Sequence, residues 1–276
     1  MSIQRGRAVR LAATLLLACG AAAQGIAHYP TPDQPAGTPR LVFDVISVRP
    51  APPDQRNGEA RPTPGYQGYS LDNTTLLGAM TIAYGVTPRQ IEGGPSWVRT
   101  ERWDIEAKSD KPHTIDELHL MVEHALLGRF SMKLHHQTRQ ESVISLEVDP
   151  HGAKLKPHQP ANDTNTPPIG LSRGSQPNTL ELTGTNVSMT YLAFMLSRLQ
   201  PVPVLDHTGL DGHYDISVEF QLPPPPPRTP GVIPPPPNLS PLFEAIRNQL
   251  GLRLVRGGKG PVDYIVIDSV QKATPN

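Results

Sequence analysis

Proline sets the outer limits on how this chain can fold. Its 33 prolines carry no backbone N–H and hold φ fixed, which excludes them from helix interiors and central strands. They are clustered: with glycine and charge at residues 51–68, again at 157–178, and in runs at 223–227 and 234–237. The first two stretches read as exposed connections. The last reads as a stiff polyproline II spacer rather than a ligand for a groove-bearing adaptor. Regular structure must lie in the segments between these breaks.

Those segments carry one pattern four times, an amphipathic helix followed by two strands. Helices are expected at 74–84, 115–127, 189–199 and 242–250. The strands that follow them are expected near 90–92 and 102–107, 130–135 and 142–148, 202–205 and 213–220, and 252–255 and 264–268. A further strand at 41–48 opens the series. The first and third units end alike, in Trp103-Asp104-Ile105 and Tyr214-Asp215-Ile216, and each is led in by a polar strand with a Thr or Ser before the helix. The second and fourth share a Leu-Gly step, Leu127-Gly128 and Leu250-Gly251, where glycine is expected to close the helix in the left-handed conformation. The expectation is an α+β fold of two similar halves, each roughly β-αββ-αββ, with helices packed on mostly antiparallel sheets. Residues 41–156 form the first half, 157–178 a linker, and 179–276 the second half with the polyproline insertion at 223–237.

The N-terminal residues read as an export signal spanning 1–23. Arg5, Arg7 and Arg10 precede an apolar segment from Leu11 to Ala23, the order a secretory signal requires, and that segment is well short of the roughly 20 residues that span a bilayer. Ala21-Ala22-Ala23 fits a small-residue cleavage site and places the mature start at Gln24, ahead of a Pro-rich spacer at 24–40. Leu16-Leu17-Ala18-Cys19 also resembles a lipobox, and Cys19 is the only cysteine, so cleavage after Ala23 and acylation at Cys19 both stay open. Either route leaves the mature body without a thiol for a disulfide, a thiolate nucleophile or a Cys-bearing metal site. A body of this size buries an adequate core without disulfides.

Charge and motif content argue against several functional classes. Lys and Arg number 25 against 25 Asp and Glu, so no global field points to nucleic acid as a partner. Gly170-Leu171-Ser172-Arg173-Gly174 matches G-x-S-x-G, but prolines flank it where a nucleophile elbow needs a strand and a helix. His113, His119, His124, His135 and His136 crowd one unit. His119 and His124 are five apart on a helix and the adjacent His135 and His136 point to opposite faces of a strand, so solvated or capping roles fit better than a metal site. Asp104 and Asp215 recur at matching positions, which suggests that each bonds backbone amides at a turn, while Asp206 stands apart. Gly93-Gly94-Pro95-Ser96-Trp97 and Gly257-Gly258-Lys259-Gly260-Pro261 lack the following helix that would present amides to a phosphate, and they read as tight connections between strands. Trp97 reads as a cover for the edge of a core. No catalytic, cofactor-binding or metal-binding residue is nominated on these grounds.

Several segments together resemble a known family. They are Phe43-Asp44-Val45-Ile46-Ser47-Val48-Arg49-Pro50, Gln90-Ile91-Glu92-Gly93-Gly94-Pro95-Ser96-Trp97, Trp103-Asp104-Ile105-Glu106-Ala107-Lys108, Leu126-Leu127-Gly128-Arg129-Phe130, Pro203-Val204-Leu205-Asp206-His207-Thr208-Gly209-Leu210, Gly212-His213-Tyr214-Asp215, and the run from Gly260 to Val270. The chain is similar to a large paralogous group of exported, soil-associated proteins of the acidobacterial type. The resemblance implies no known activity and no site residues; similar domains occur fused to membrane metallopeptidases of the antibiotic-sensor type, whose H-E-x-x-H this sequence lacks.

The expected function is an exported, non-catalytic binding or interaction module for an extracytoplasmic ligand or protein. One rival is an extracellular hydrolase that would bring Asp104, Asp206, Asp215 or His135 together around a cleft. Another is a sensor or partner domain for a membrane metallopeptidase, which the resemblance alone suggests. Mass spectrometry of the protein recovered from its native host is expected to find Gln24 or an acylated Cys19 at the N-terminus. Recovery of the intact chain starting at Met1 would contradict export.

Overall fold

The computed structural model describes residues 40–53, 58–159, 169–221 and 239–274; the segment expected to be an export signal, the residues before 40 expected to be a spacer and the polyproline stretch lie outside them. The first part of the chain runs β1 (Val45–Pro50), β2 (Glu59–Pro62), β3 (Gly68–Thr75), α1 (Leu76–Ala83), β4 (Ile91–Gly93), α2 (Trp97–Thr100), β5 (Arg102–Lys108), α3 (Ile115–Arg129) and β6 (Lys133–Val148). The second part runs β7 (Lys156–Pro157), β8 (Ile169–Arg173), β9 (Thr179–Ser188), α4 (Met189–Ser197), β10 (Val204–Asp206), β11 (His213–Gln221), α5 (Ser240–Ala245) with a π-helical turn at Ile246–Leu250, and β12 (Leu252–Ser269). The fold is mixed α and β with mostly antiparallel sheets, and apart from the short α2 between β4 and β5 the order β3-α1-β4-β5-α3-β6 is matched by β9-α4-β10-β11-α5-β12.

Among the described residues three four-stranded sheets form, in the orders β1-β5-β3-β2, β10-β6-β12-β4 and β7-β11-β9-β8. The outer two are antiparallel and each belongs to one part of the chain. The middle sheet crosses between the parts. Its centre is the antiparallel pair β6·β12, and each flanking short strand joins the long strand of the other part in parallel, β4 on β12 and β10 on β6.

This crossing determines what the cores are made of. Ile265 and Ile267 of β12 are buried with Leu76, Met80, Leu118, Met121 and Phe130 of the first part. Ile144 and Leu146 of β6 are buried with Leu192, Leu196, Val218 and Ile246 of the second. Full burial of one such side chain contributes about 1.5–3 kcal/mol, so each core draws part of its stability from a strand that the other part supplies. Trp97 lies against the first core, its ring stacked 6.3 Å from that of Phe130, which agrees with the role expected for it.

The structure corrects the sequence reading at several places; the stretch expected as a connection at 51–68 contains β2, and the short helix α2 follows Gly93-Gly94-Pro95-Ser96 where none is expected. The strands expected at 130–135 and 142–148 are one strand, β6, and those at 252–255 and 264–268 are one strand, β12. Their polar middles lack hydrophobic alternation, yet they pair with each other through Gln140 and Pro261. The run Gly257 to Pro261 is thus the interior of a strand, with a bulge between Val255 and Gly258. Pro261 is tolerated because β4 reaches only Ile265 to Ile267, and among the described residues no strand pairs with the other edge of β12 at that level. At the helix ends, Gly251 takes the expected left-handed conformation (φ 65°), and a Cβ there would sit 2.1 Å from the Gly152 carbonyl oxygen. Gly128 does not behave as expected: α3 continues to Arg129 and the left-handed residue is Ser131 (φ 44°). Finally, part of the stretch expected as a connection at 157–178 is the edge strand β8, which carries Ser172 and pairs with β9.

The matched aspartates bear out their expected role. Asn73 and Asn186 both adopt left-handed φ (46° and 58°) where the ladder shifts register just ahead of α1 and α4. The Asn73 N–H donates to Asp104 Oδ1 (2.8 Å) and the Asn186 N–H donates to Asp215 Oδ1 (3.1 Å). Two residues on, Thr75 and Ser188 accept from the amides of Gly78 and Tyr191 and start the helices. Asp104→Ala is expected to cost about 1–3 kcal/mol by leaving the Asn73 amide without its acceptor. That lowers the melting midpoint by about 2–4 °C per kcal/mol in a domain of this size. An unchanged thermal melt would refute this role.

Candidate functional site

The residues on which a hydrolase was expected to rest do not converge. Asp104 and Asp215 hold turns, and Asp215 also receives a bond from His158 Nδ1 (2.7 Å). Asp206 closes its own turn by accepting from the Thr208 amide (2.9 Å) and hydroxyl (2.7 Å), with a third bond from Thr190 Oγ1 (3.1 Å). His135 pairs with Asp268 on an exposed surface (2.9 Å). His124 bonds the Leu41 carbonyl oxygen at 2.6 Å. His119 is buried between Tyr69 and Tyr191 (ring centroids 5.7 and 6.4 Å), and burial pushes it down to about 4, which keeps it neutral at physiological pH. Among the described residues no group of three or more His, Cys, Asp or Glu side chains is placed to hold a metal ion.

What the tertiary structure does assemble is a titratable group around His136. Its Nδ1 lies 2.5 Å from Asp263 Oδ2. The Asp263 side chain is 5% exposed and that of His136 is 51% exposed, so a buried carboxylate holds a half-exposed imidazole. Beneath the pair, the Gln90 side-chain amide donates to the Asp263 carbonyl oxygen (2.9 Å) and fixes the strand. The edge of the Tyr84 ring approaches the imidazole, with centroids 6.2 Å apart. Glu123 of α3 completes the group.

The charges in this group respond to different causes. The bond to Asp263 raises His136 above the usual imidazole range, opposed by partial burial. Burial pushes Glu123 up to about 7, and the nearby positive charges of His136 and Arg40 only partly offset it. Tyr84 is raised by burial and then by Glu123. The group therefore changes charge near neutral pH, unlike an ordinary surface carboxylate.

His136 also marks one end of a polar strip along the centre of the middle sheet. The pairs Thr138·Asp263, Gln140·Pro261 and Ser142·Lys259 share its face of β6 and β12. On that same face, Leu134 and Ile267 belong to the first core at one end and Ile144 and Leu146 to the second at the other. Between the cores Thr138, Gln140, Ser142 and Lys259 are exposed.

A second cluster lies where β5 leads into α3. Ser109 Oγ is 3.0 Å from His113 Nε2, and His113 Nδ1 is 3.1 Å from Glu117 Oε2. The sequence held part of its signal: His113 and Glu117 are four apart, and Thr114-x-x-Glu117 forms a capping box. Ser109, Tyr84, Glu123 and Asp263 were not singled out, since no local pattern ties any of them to a histidine.

These features define a mixed α/β protein whose two cores share a crossed central sheet, with a buried aspartate holding a histidine between them. The chain belongs to the family described as protein of unknown function (DUF3738), whose model matches residues 78–270. Comparison with curated proteins and with solved structures finds no match. Among the described residues no helix is long and apolar enough to cross a membrane.

Both shifts at His136 and Glu123 have the same consequence for stability. Glu123 ionises more readily in the unfolded chain, so its contribution turns unfavourable as pH rises from its ordinary value near 4.5 through about 7. The His136 contribution is complete below its ordinary value of 6.5 and is lost as pH rises through its raised one. Glu123→Gln is expected to stabilise the protein at pH 8, by up to about 3 kcal/mol, and to make little difference at pH 4. Urea melts across this range would disprove the assignment if the variant and wild type stay parallel.

Proposed function

We propose that the protein is an exported binding module whose ligand lies along the polar strip between the two cores. The observation that carries this reading is the strip itself. Two long strands, held at both ends by packed cores, form a rigid floor on which Thr138, Gln140, Ser142 and Lys259 expose hydrogen-bonding groups beside the His136 imidazole. Recognition surfaces of this kind work by preorganisation, because groups fixed before binding lose little entropy when a ligand arrives. The residue types suit a polar ligand with both donors and acceptors, and the titration of Glu123 near 7 beside His136 suits binding that weakens or strengthens with pH. The basic and apolar N-terminus supports export, as does the resemblance to exported soil-bacterial proteins. The separate structural bonds of Asp104, Asp206, Asp215 and His135 argue against a hydrolase built on them.

Thermal-shift screening of the mature protein against soluble oligosaccharides, short peptides and organic acids tests the proposal. A ligand present at 100 times its Kd adds about 2.7 kcal/mol, which raises the midpoint by about 5–10 °C at this size. The double variant Gln140→Ala, Ser142→Ala alters exposed side chains and should keep its own melting midpoint near that of wild type while losing most of the ligand-induced rise. A library in which nothing stabilises wild type, or ligands that stabilise both proteins equally, would refute it.

A further inference from the structure

The three side chains between β5 and α3 have the connectivity of an activated serine. A carboxylate can only accept, so the proton between His113 Nδ1 and Glu117 Oε2 resides on the ring nitrogen. In the neutral ring Nε2 is then a bare lone pair, and the hydrogen bond at 3.0 Å is donated by the Ser109 hydroxyl. Nucleophile, base and orienting acid are joined in that order.

Each member is held by bonds of its own. The Ser109 amide donates to the Gln67 carbonyl oxygen (2.7 Å), and the His113 amide donates to that of Tyr66 (3.0 Å). The His113 side chain is 4% exposed, so packing fixes the ring. Glu117 is fixed twice, since its Oε2 accepts from the Thr114 amide (3.1 Å) while its own amide donates to Thr114 Oγ1 (3.2 Å). Ser109 is half-buried, whereas the His113 ring beside it is packed away from solvent.

We propose that Ser109 is a nucleophile toward activated esters and related acyl donors, with His113 as general base and then general acid and Glu117 as the positioning residue. The Ser109 Oγ–C bond forms at the acyl carbon while the hydroxyl proton passes to His113 Nε2. The bond to the leaving oxygen then breaks, and that oxygen takes the proton from His113. Water, deprotonated in turn by His113, attacks the acyl carbon; the Ser109 Oγ–C bond then breaks, Ser109 Oγ takes the proton back from His113 Nε2, and the carboxylic acid is released. No redox partner is required. This inference is independent of the polar strip and goes beyond a binding role.

Incubation of the mature protein with a fluorophosphonate, followed by intact-mass measurement and peptide mapping, tests it. One adduct per chain is expected on the peptide that contains Ser109, and none in Ser109→Ala. His113→Gln should slow labelling by about 10²-fold or more. Glu117→Gln should also slow it, an effect that a role in capping α3 alone would not produce. Melting curves establish that each variant is folded. If His113→Gln unfolds, the half-exposed position of Glu117 lets Glu117→Gln carry the same test. The proposal is overturned if folded wild type stays unlabelled under conditions that fully label a standard serine hydrolase, or if a folded His113→Gln or Glu117→Gln variant reacts at the wild-type rate.

Discussion

β6 and β12 run antiparallel from the Val148·Leu252 pair to the Lys133·Ser269 pair, and both hydrophobic cores are built against them. A strand of that length passes out of one core, across the polar middle of the sheet and into the next. Register must therefore hold over the whole pairing, because a slip of one residue would turn Ile265 and Ile267 out of the first core and Leu252 out of the second. The bulge between Val255 and Gly258 absorbs the local mismatch. The same pairing brings Asp263 beneath His136 and lines up the exposed strip, so the candidate binding surface is a by-product of how the cores are joined.

Carboxylates serve opposite purposes in this fold, and their surroundings decide which. Asp149 is buried but accepts from the His151 amide (3.1 Å), His151 Nδ1 (2.6 Å) and Arg247 Nε (2.6 Å), and these bonds hold it well below the usual carboxylate range. Glu123, acted on by His136 and Arg40 through space, is pushed the other way by burial. Hydrogen bonds to the charged form stabilise it and loss of water destabilises it. Asp149 consequently anchors a turn to the end of the last helix, while Glu123 stays poised to change charge near neutral pH.

The candidate sites were legible in the sequence only where they are local. The His113 to Glu117 spacing and the Thr114 capping box follow from the geometry of one helical turn. Ser109 lies outside that turn and meets His113 only because the connection folds back, with the Ser109 and His113 amides bound to Gln67 and Tyr66. His136 and Asp263 are 127 residues apart, and neither the polarity of one strand nor the apolar run of the other announces the contact. Asp104 and Asp215 could be read as turn residues because the chain presents the same local problem twice, an asparagine bulge leading into a capped helix.

The sequence by itself determined the four longer helices, the Thr or Ser before α1 and α4, the left-handed closure at Gly251, the role of the paired aspartates and the mixed, mostly antiparallel character of the sheets. These depend on side-chain periodicity and on bonds to residues close by, or on a pattern stated twice. Only the tertiary structure decided that four expected strands are two long ones, that short strands join the opposite part of the chain, and that α3 runs past Gly128. It also decided which histidines meet a carboxylate. The polar middles of β6 and β12 are strands because they have each other as partners, and a preference that exists only in the paired state leaves no periodic signal in either segment alone.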